Sequence, residues 1–279
     1  MSRVVDLEKL FHRSKKRIKE LGEVFTPEPH VADMLNLLAK KEDDLWSDEE
    51  IAFFEPCSGH GNIVLPIYKR RLEGFYRKAI SGAFNNNAAE SACYAVANAL
   101  NTLWAIDIDS SNIENCRSRV LSATLDFLRI RYGIENDVAL LSRKKIFFAH
   151  VLSAIKWHIR ENETLSALSH PENAKTSVYL TKAGANWFST NGHHPLHFDQ
   201  TWVNFYQSRK TLDAVPLEYE RSLRFVENIL TGKLQDFEGF EFAAPVINLS
   251  KTAQNFSCQP KSCPEESLSV PAGVSNAGN

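Results

Sequence analysis

The chain has 279 residues, of which 43% are hydrophobic and 24% charged, so it is long enough for a sizeable core and is neither disordered nor fibrous in composition. A formal net charge of −2 excludes a surface coated in positive charge. Local runs (His12 to Arg17, Lys69 to Arg71, Arg143 to Lys145) still leave phosphate contact open, although each is also what a solvated helix face looks like.

Asp6 to Leu21 places Leu7, Leu10, Phe11, Ile18 and Leu21 at helical spacing, with a basic opposite face and Gly22 as its stop. Glu23 to His30 is then extended, because residues before proline are pushed out of the helical region. Thr26 is placed to cap the next helix, with Pro27 in its first turn and Val31, Met34, Leu35 and Leu38 as its buried stripe. Ile51 to Phe54 is a short apolar run that suits a buried parallel strand.

A loop rich in glycine, Glu55-Pro56-Cys57-Ser58-Gly59-His60-Gly61-Asn62, follows at once, and Ile63 to Leu72 resumes helical spacing. Ala88 to Ala99 predicts a further helix, Thr102 to Ile106 a second buried strand ending in Asp107-Ile108-Asp109, and Asn112 to Arg131 a helix with a basic face. Later helix-like patterns run from Lys145 to Trp157 and from Leu217 to Leu230. From Leu249 onward Ser, Pro, Asn and Gly dominate, which predicts a flexible tail.

The N-terminus is polar from Arg3, and no run approaches the roughly 18 apolar residues of a spanning helix, so a cytoplasmic protein without membrane partners is expected. The five cysteines, Cys57, Cys93, Cys116, Cys258 and Cys263, are odd in number and scattered, which argues against a disulfide framework. Cys258 and Cys263 lack a second pair, and no metal is expected.

Strand, glycine turn, helix, then a strand ending in an acid is the order of a nucleotide-binding α/β sheet. Gly59 and Gly61 permit positive backbone angles and close approach to the main chain, and their N–H groups would face a ligand at the helix N-terminus. Leu65 stands where the dinucleotide fingerprint has its third glycine, and Glu55 at the strand end disfavours a pyrophosphate and suits a cationic group. Asp107 is placed for the two hydroxyls of a ribose, given an insertion around Gly82 to Asn87. An amino-acid-bearing nucleoside fits both acids.

Gly22-Glu23-Val24-Phe25-Thr26-Pro27, the loop from Phe54 to Asn62, and Ala105 to Asp109 together resemble the cofactor-binding motifs of the N6-adenine DNA methyltransferases. Their order is that of the restriction-modification subgroup in which F-T-P precedes the glycine loop, and the resemblance covers roughly the first 130 residues. It implies a Rossmann-like class I fold that binds S-adenosylmethionine, with a helical N-terminal segment (1–50), an α/β domain (51–245) and a tail (246–279). The resemblance gives Phe25, Thr26 and Pro27 the wall over the methionine part, Glu55, Pro56, Gly59 and Gly61 the amino-acid end, and Asp107 the ribose. Asn162-Glu163 stands where the family has a Gly-Asp pair, which gives Glu163 the cofactor's adenine.

The family's Asn/Asp/Ser-Pro-Pro-Tyr/Phe motif, which receives a flipped base, is absent. Its nearest counterpart is Asn204-Phe205-Tyr206-Gln207, where Asn204 would accept from the adenine amine and Tyr206 would stack. The same stretch also reads as a strand with inward aromatics and Asn204 at its turn. His193, His194 and His197 read as loop histidines. Two functions follow as expectations: a methyltransferase acting on adenine in DNA, with a restriction or specificity subunit as partner, or a catalytically silent relative that binds DNA or such a partner. RNA or a protein side chain stays open as substrate.

Overall fold

A computed structural model of the chain describes residues 26–39, 44–82, 84, 86–168, 182–234 and 237. The basic helix expected at Asp6 to Leu21, Phe25, Cys258, Cys263 and the tail from Leu249 lie outside the described residues. What is described is a mostly helical α/β protein around a three-stranded parallel sheet. Among the described residues no helix is long and apolar enough to cross a membrane.

Helix α1 (Glu28–Ala39) leads to β1 (Phe53–Glu55), then α2 (Val64–Ser81), α3 (Ala88–Asn101) and β2 (Leu103–Asp107). Helices α4 (Ser110–Tyr132), α5 (Asp137–Arg143) and α6 (Lys145–His158) precede β3 (Ile159–Glu161). Short α7 (Thr164–Leu168), α8 (Lys182–Asn191), α9 (Trp202–Thr211) and α10 (Leu217–Leu230) complete the order. The strands lie in the sequence β1-β2-β3, with Glu55 beside Ala105, Ala105 beside Ile159, and Asp107 beside Glu161.

Three sequence expectations need correction. Val31 and Leu35 are buried in α1, but Met34 (45%) and Leu38 (44%) are exposed, so the helix buries a narrower stripe than its apolar residues predict. Thr26 does not cap α1; the Pro27 carbonyl accepts from the N–H groups of His30 and Val31, which puts Pro27 at the cap position. The extra length between β1 and β2, expected as an insertion around Gly82 to Asn87, comes mostly from the second crossover helix α3; α2 and α3 pack together as a hairpin.

Caps explain several boundaries. The Asn87 side chain accepts from the Glu90 N–H at the start of α3, and Asp109 accepts from Ser111 and Asn112 at the start of α4, which ends at left-handed Gly133 (φ 61°).

Arg71, fully buried on α2, donates to the carbonyls of Leu45, Asp48 and Ile51 and to Thr102 Oγ1 at 2.6 to 2.9 Å. It thereby ties the approach to β1 to the residue before β2. Of the basic run at 69–71, then, only Lys69 and Arg70 remain at the surface. Together with Trp46, Glu73 and Arg77 they line a shallow cavity of about 390 Å³.

Candidate functional site

The carboxyl ends of the three parallel strands carry Glu55, Asp107 and Glu161 on one face of the sheet, with Glu55 in register with Ala105 and Asp107 with Glu161. In open α/β sheets this is the edge at which ligands bind. Burial raises the pKa of all three carboxyl groups. Asp107 adds to the shift of Glu55, and Asp109 and Asp107 add to that of Glu161, while Arg117 opposes it. Such a cluster favours a cationic ligand.

The glycine loop crosses this edge. Ser58 N–H donates to the Ile106 carbonyl at 2.8 Å and prolongs the β1–β2 ladder by one bond. Gly59 (φ 51°) and Gly61 (φ 92°) then turn the chain into α2, whose first bond runs from Leu65 N–H to the Gly61 carbonyl. Gly61 also lies against α4: a Cβ there would stand 2.8 Å from Cys116 Sγ. Arg119 of α4 holds the loop's outer part, its Nη1 donating to the His60 carbonyl at 2.9 Å and to Asn62 Oδ1 at 3.0 Å.

The glycine amides, expected to face a ligand, have partners within the protein. Gly59 N–H donates to Asp107 Oδ2 at 2.8 Å, and Gly61 N–H to the Ser58 carbonyl. Asp107 Oδ1 accepts from Asp109 N–H at 2.9 Å and Asn112 Nδ2 at 3.3 Å. Asp107, expected at the ribose, thus organises the loop with three of a carboxylate's roughly four acceptor positions. Glu161, which sequence reading passed over, makes no side-chain hydrogen bond among the described residues. Its signal was present: Ile159-Arg160-Glu161 is a strand ending in an acid, just as Ala105-Ile106-Asp107 is.

The loop after β3 is stitched to the glycine loop. Thr164 Oγ1 donates to the Pro56 carbonyl at 2.8 Å, and Asn162 joins its own N–H to the Asp107 carbonyl and its Nδ2 to the His194 carbonyl. Glu163, expected near the cofactor's adenine, accepts from Ser166 N–H through Oε2 at 2.8 Å and so acts as the cap of α7. Glu28, next to Thr26 and Pro27, acts electrostatically on Arg119, which places the start of α1 close to the glycine loop.

Asn204 and Tyr206 are not brought to this edge as a pair. The stretch is neither a strand nor a base-receiving turn but helix α9, capped by Thr201, whose Oγ1 accepts from Asn204 N–H. Asn204 is exposed and donates to the Asp199 carbonyl, while Tyr206 packs on His150, Trp202 and Tyr219. Residues two apart on a helix do not face each other, so the two side chains cannot form one pocket. The helix was legible in Trp202, Phe205 and Tyr206 at spacings of three and four. What does reach the sheet is the segment before it: the Phe198 ring lies 5.1 Å from that of Phe54 and 5.6 Å from that of Trp104. No protein-family model, curated protein or solved structure matches the chain.

Proposed function

We propose that the chain binds S-adenosylmethionine at the carboxyl ends of β1, β2 and β3 and transfers its methyl group to N6 of adenine in DNA, on one half of a Rossmann-like class I fold. The observation that carries the cofactor reading is the conjunction of a glycine loop with three raised-pKa carboxylates, Glu55, Asp107 and Glu161, on one sheet edge. S-adenosylmethionine brings a sulfonium and an ammonium to such an edge, and its ribose hydroxyls suit a carboxylate acceptor. Glu161 joins Glu55 as an acceptor for the cationic or hydroxyl groups, with Asp107 fixing the loop between them. Methyl transfer to an amine needs alignment more than a strong base.

A second reading is favoured by Asn204 and Tyr206, which sit on different sides of α9: a catalytically silent methyltransferase-like protein that binds DNA or a restriction or specificity subunit. Calorimetric titration of the full chain with S-adenosylmethionine, beside Asp107→Ala, tests the cofactor site. Saturable binding lost in the variant is the expected result, and a folded parent that does not bind would sink both the cofactor and the enzyme reading. Incubation with labelled S-adenosylmethionine and adenine-containing DNA then separates the two: methylated DNA supports the enzyme, and binding without transfer supports the silent relative.

A further inference from the structure

Among the described residues two arginines are buried in this fold, and both have structural partners. Arg71 meets three carbonyls and a hydroxyl, and Arg117 donates Nε to the Ile159 carbonyl at 2.6 Å and Nη2 to that of Lys156 at 3.3 Å. Arg160 of β3 differs. Its guanidinium lies over two indole rings, 5.4 Å from the centroid of Trp104 and 5.3 Å from that of Trp157, with no hydrogen bond and no carboxylate acting on it among the described residues. Burial alone holds its pKa down to about 10. Nε is sealed from solvent without a partner among the described residues, whereas the residue as a whole is half-buried.

The neighbouring rings add donors and no acceptor. Trp104 Nε1–H is buried and has no partner among the described residues. His158, whose ring centroid lies 4.3 Å from that of Trp104, accepts from Trp202 N–H through Nε2 at 3.1 Å. Burial and the positive charge of Arg160 hold its pKa well below the usual value, so the ring is neutral and its proton sits on Nδ1, a second buried donor without a partner among the described residues. By strand alternation Trp104 and Arg160 share the sheet face opposite to Glu55, Asp107 and Glu161.

The indoles attract the cation but cannot accept its N–H groups, so the fold holds a pre-oriented guanidinium with unmet donor capacity. Arginine stacked in this way presents a planar fork suited to two oxygens of one phosphate. We propose that Arg160, held between the rings of Trp104 and Trp157, is a phosphate-binding site on this sheet face, which takes the phosphate of a nucleotide or of a single nucleic-acid strand. Phe198, 38% exposed and in edge contact with Trp104, is the surface on which an attached base would lie. The site stands apart from the cofactor edge and does not depend on methyl transfer.

The test titrates the full chain with inorganic phosphate, dAMP and a short single-stranded DNA, by calorimetry and by tryptophan fluorescence, against sodium chloride at matched ionic strength. The parent is expected to bind all three saturably. Arg160→Lys should bind about tenfold more weakly, because a lysine loses the two-pronged contact, and Arg160→Met should not bind measurably. Tighter binding of dAMP than of phosphate assigns the site to nucleotides, and a gain confined to the oligonucleotide assigns it to a strand. If Arg160→Met does not fold, Arg160→Lys and the phosphate-induced rise in the parent's melting temperature give the answer. Absence of any phosphate effect on the parent, or equal affinity in parent and Arg160→Lys, overturns the proposal. Titration of the same variants with S-adenosylmethionine, where no change is expected, keeps this outcome separate from that of the cofactor site.

Discussion

The main-chain N–H of Gly59 donates to Oδ2 of Asp107 at 2.8 Å, linking the loop after β1 to the last residue of β2. A carboxylate 48 positions away therefore holds the glycine turn in place, and any ligand at this edge meets a loop already shaped by the protein.

Removal of that carboxylate should disturb both loop and ligand. Asp107→Asn keeps the shape but turns an NH2 group toward an N–H donor. A stability loss of roughly 1–3 kcal/mol is expected by thermal or urea denaturation, together with loss of S-adenosylmethionine binding in titration. Undiminished binding in Asp107→Asn would leave Asp107 no part in the site.

Gly61→Ala should cost roughly 2–4 kcal/mol, because a Cβ at φ 92° is strained and meets Cys116 Sγ at 2.8 Å. In a Cys116→Ala background the steric part is relieved and the strain persists. Denaturation of the four proteins in a double-mutant cycle should therefore show a favourable coupling of about 1 kcal/mol, and strict additivity would refute the contact.

Arg71→Met should destabilise the protein by roughly 3 kcal/mol or more, since it leaves the Leu45, Asp48 and Ile51 carbonyls without their donor. Arg71→Lys should recover only part of this, because one ammonium cannot reach all of those acceptors. Equal melting temperatures for parent and Arg71→Met would contradict the role assigned to this residue.

The affinity for S-adenosylmethionine should rise with pH above the ordinary carboxylate range. Glu55, Asp107 and Glu161 hold their protons longer when folded, and each attracts a cation only once ionised. The stability of the ligand-free protein has the opposite sign: the contribution of these groups is complete below their unfolded pKa values and is lost as pH rises through the folded ones. Titrations between pH 5 and pH 8, with Glu161→Gln as comparison, check this; a flat profile in the parent would contradict it.

His150 works in the other direction. Burial, aided by Lys210, lowers its pKa to about 4, among the rings of Trp202, Tyr206 and Tyr219. The unfolded chain takes up this proton first, so up to roughly 3 kcal/mol of stability should be lost as pH falls from about 6.5 through 4. Proton NMR of the imidazole, or a flatter acid limb in His150→Gln, is the measurement.

The strands ending in Glu55 and Asp107, the glycine turn between β1 and α2, and helices α3, α4, α6 and α10 were determined by the sequence itself. Each depends on signals that act over a few residues: apolar periodicity, a side-chain cap, or a glycine where φ is positive. Tertiary structure decided the partners. It gave the Gly59 amide to Asp107 and set Glu161 beside Asp107; it buried Arg71 out of a basic run and laid Arg160 over two indoles. Thr201 and the packing of Trp202 and Phe205 on α6 turned the Asn204 stretch into a helix, which separates Asn204 from Tyr206. These outcomes join groups some 40 to 60 positions apart in most cases, so they depend on how the helices pack on the sheet, which short-range patterns do not encode.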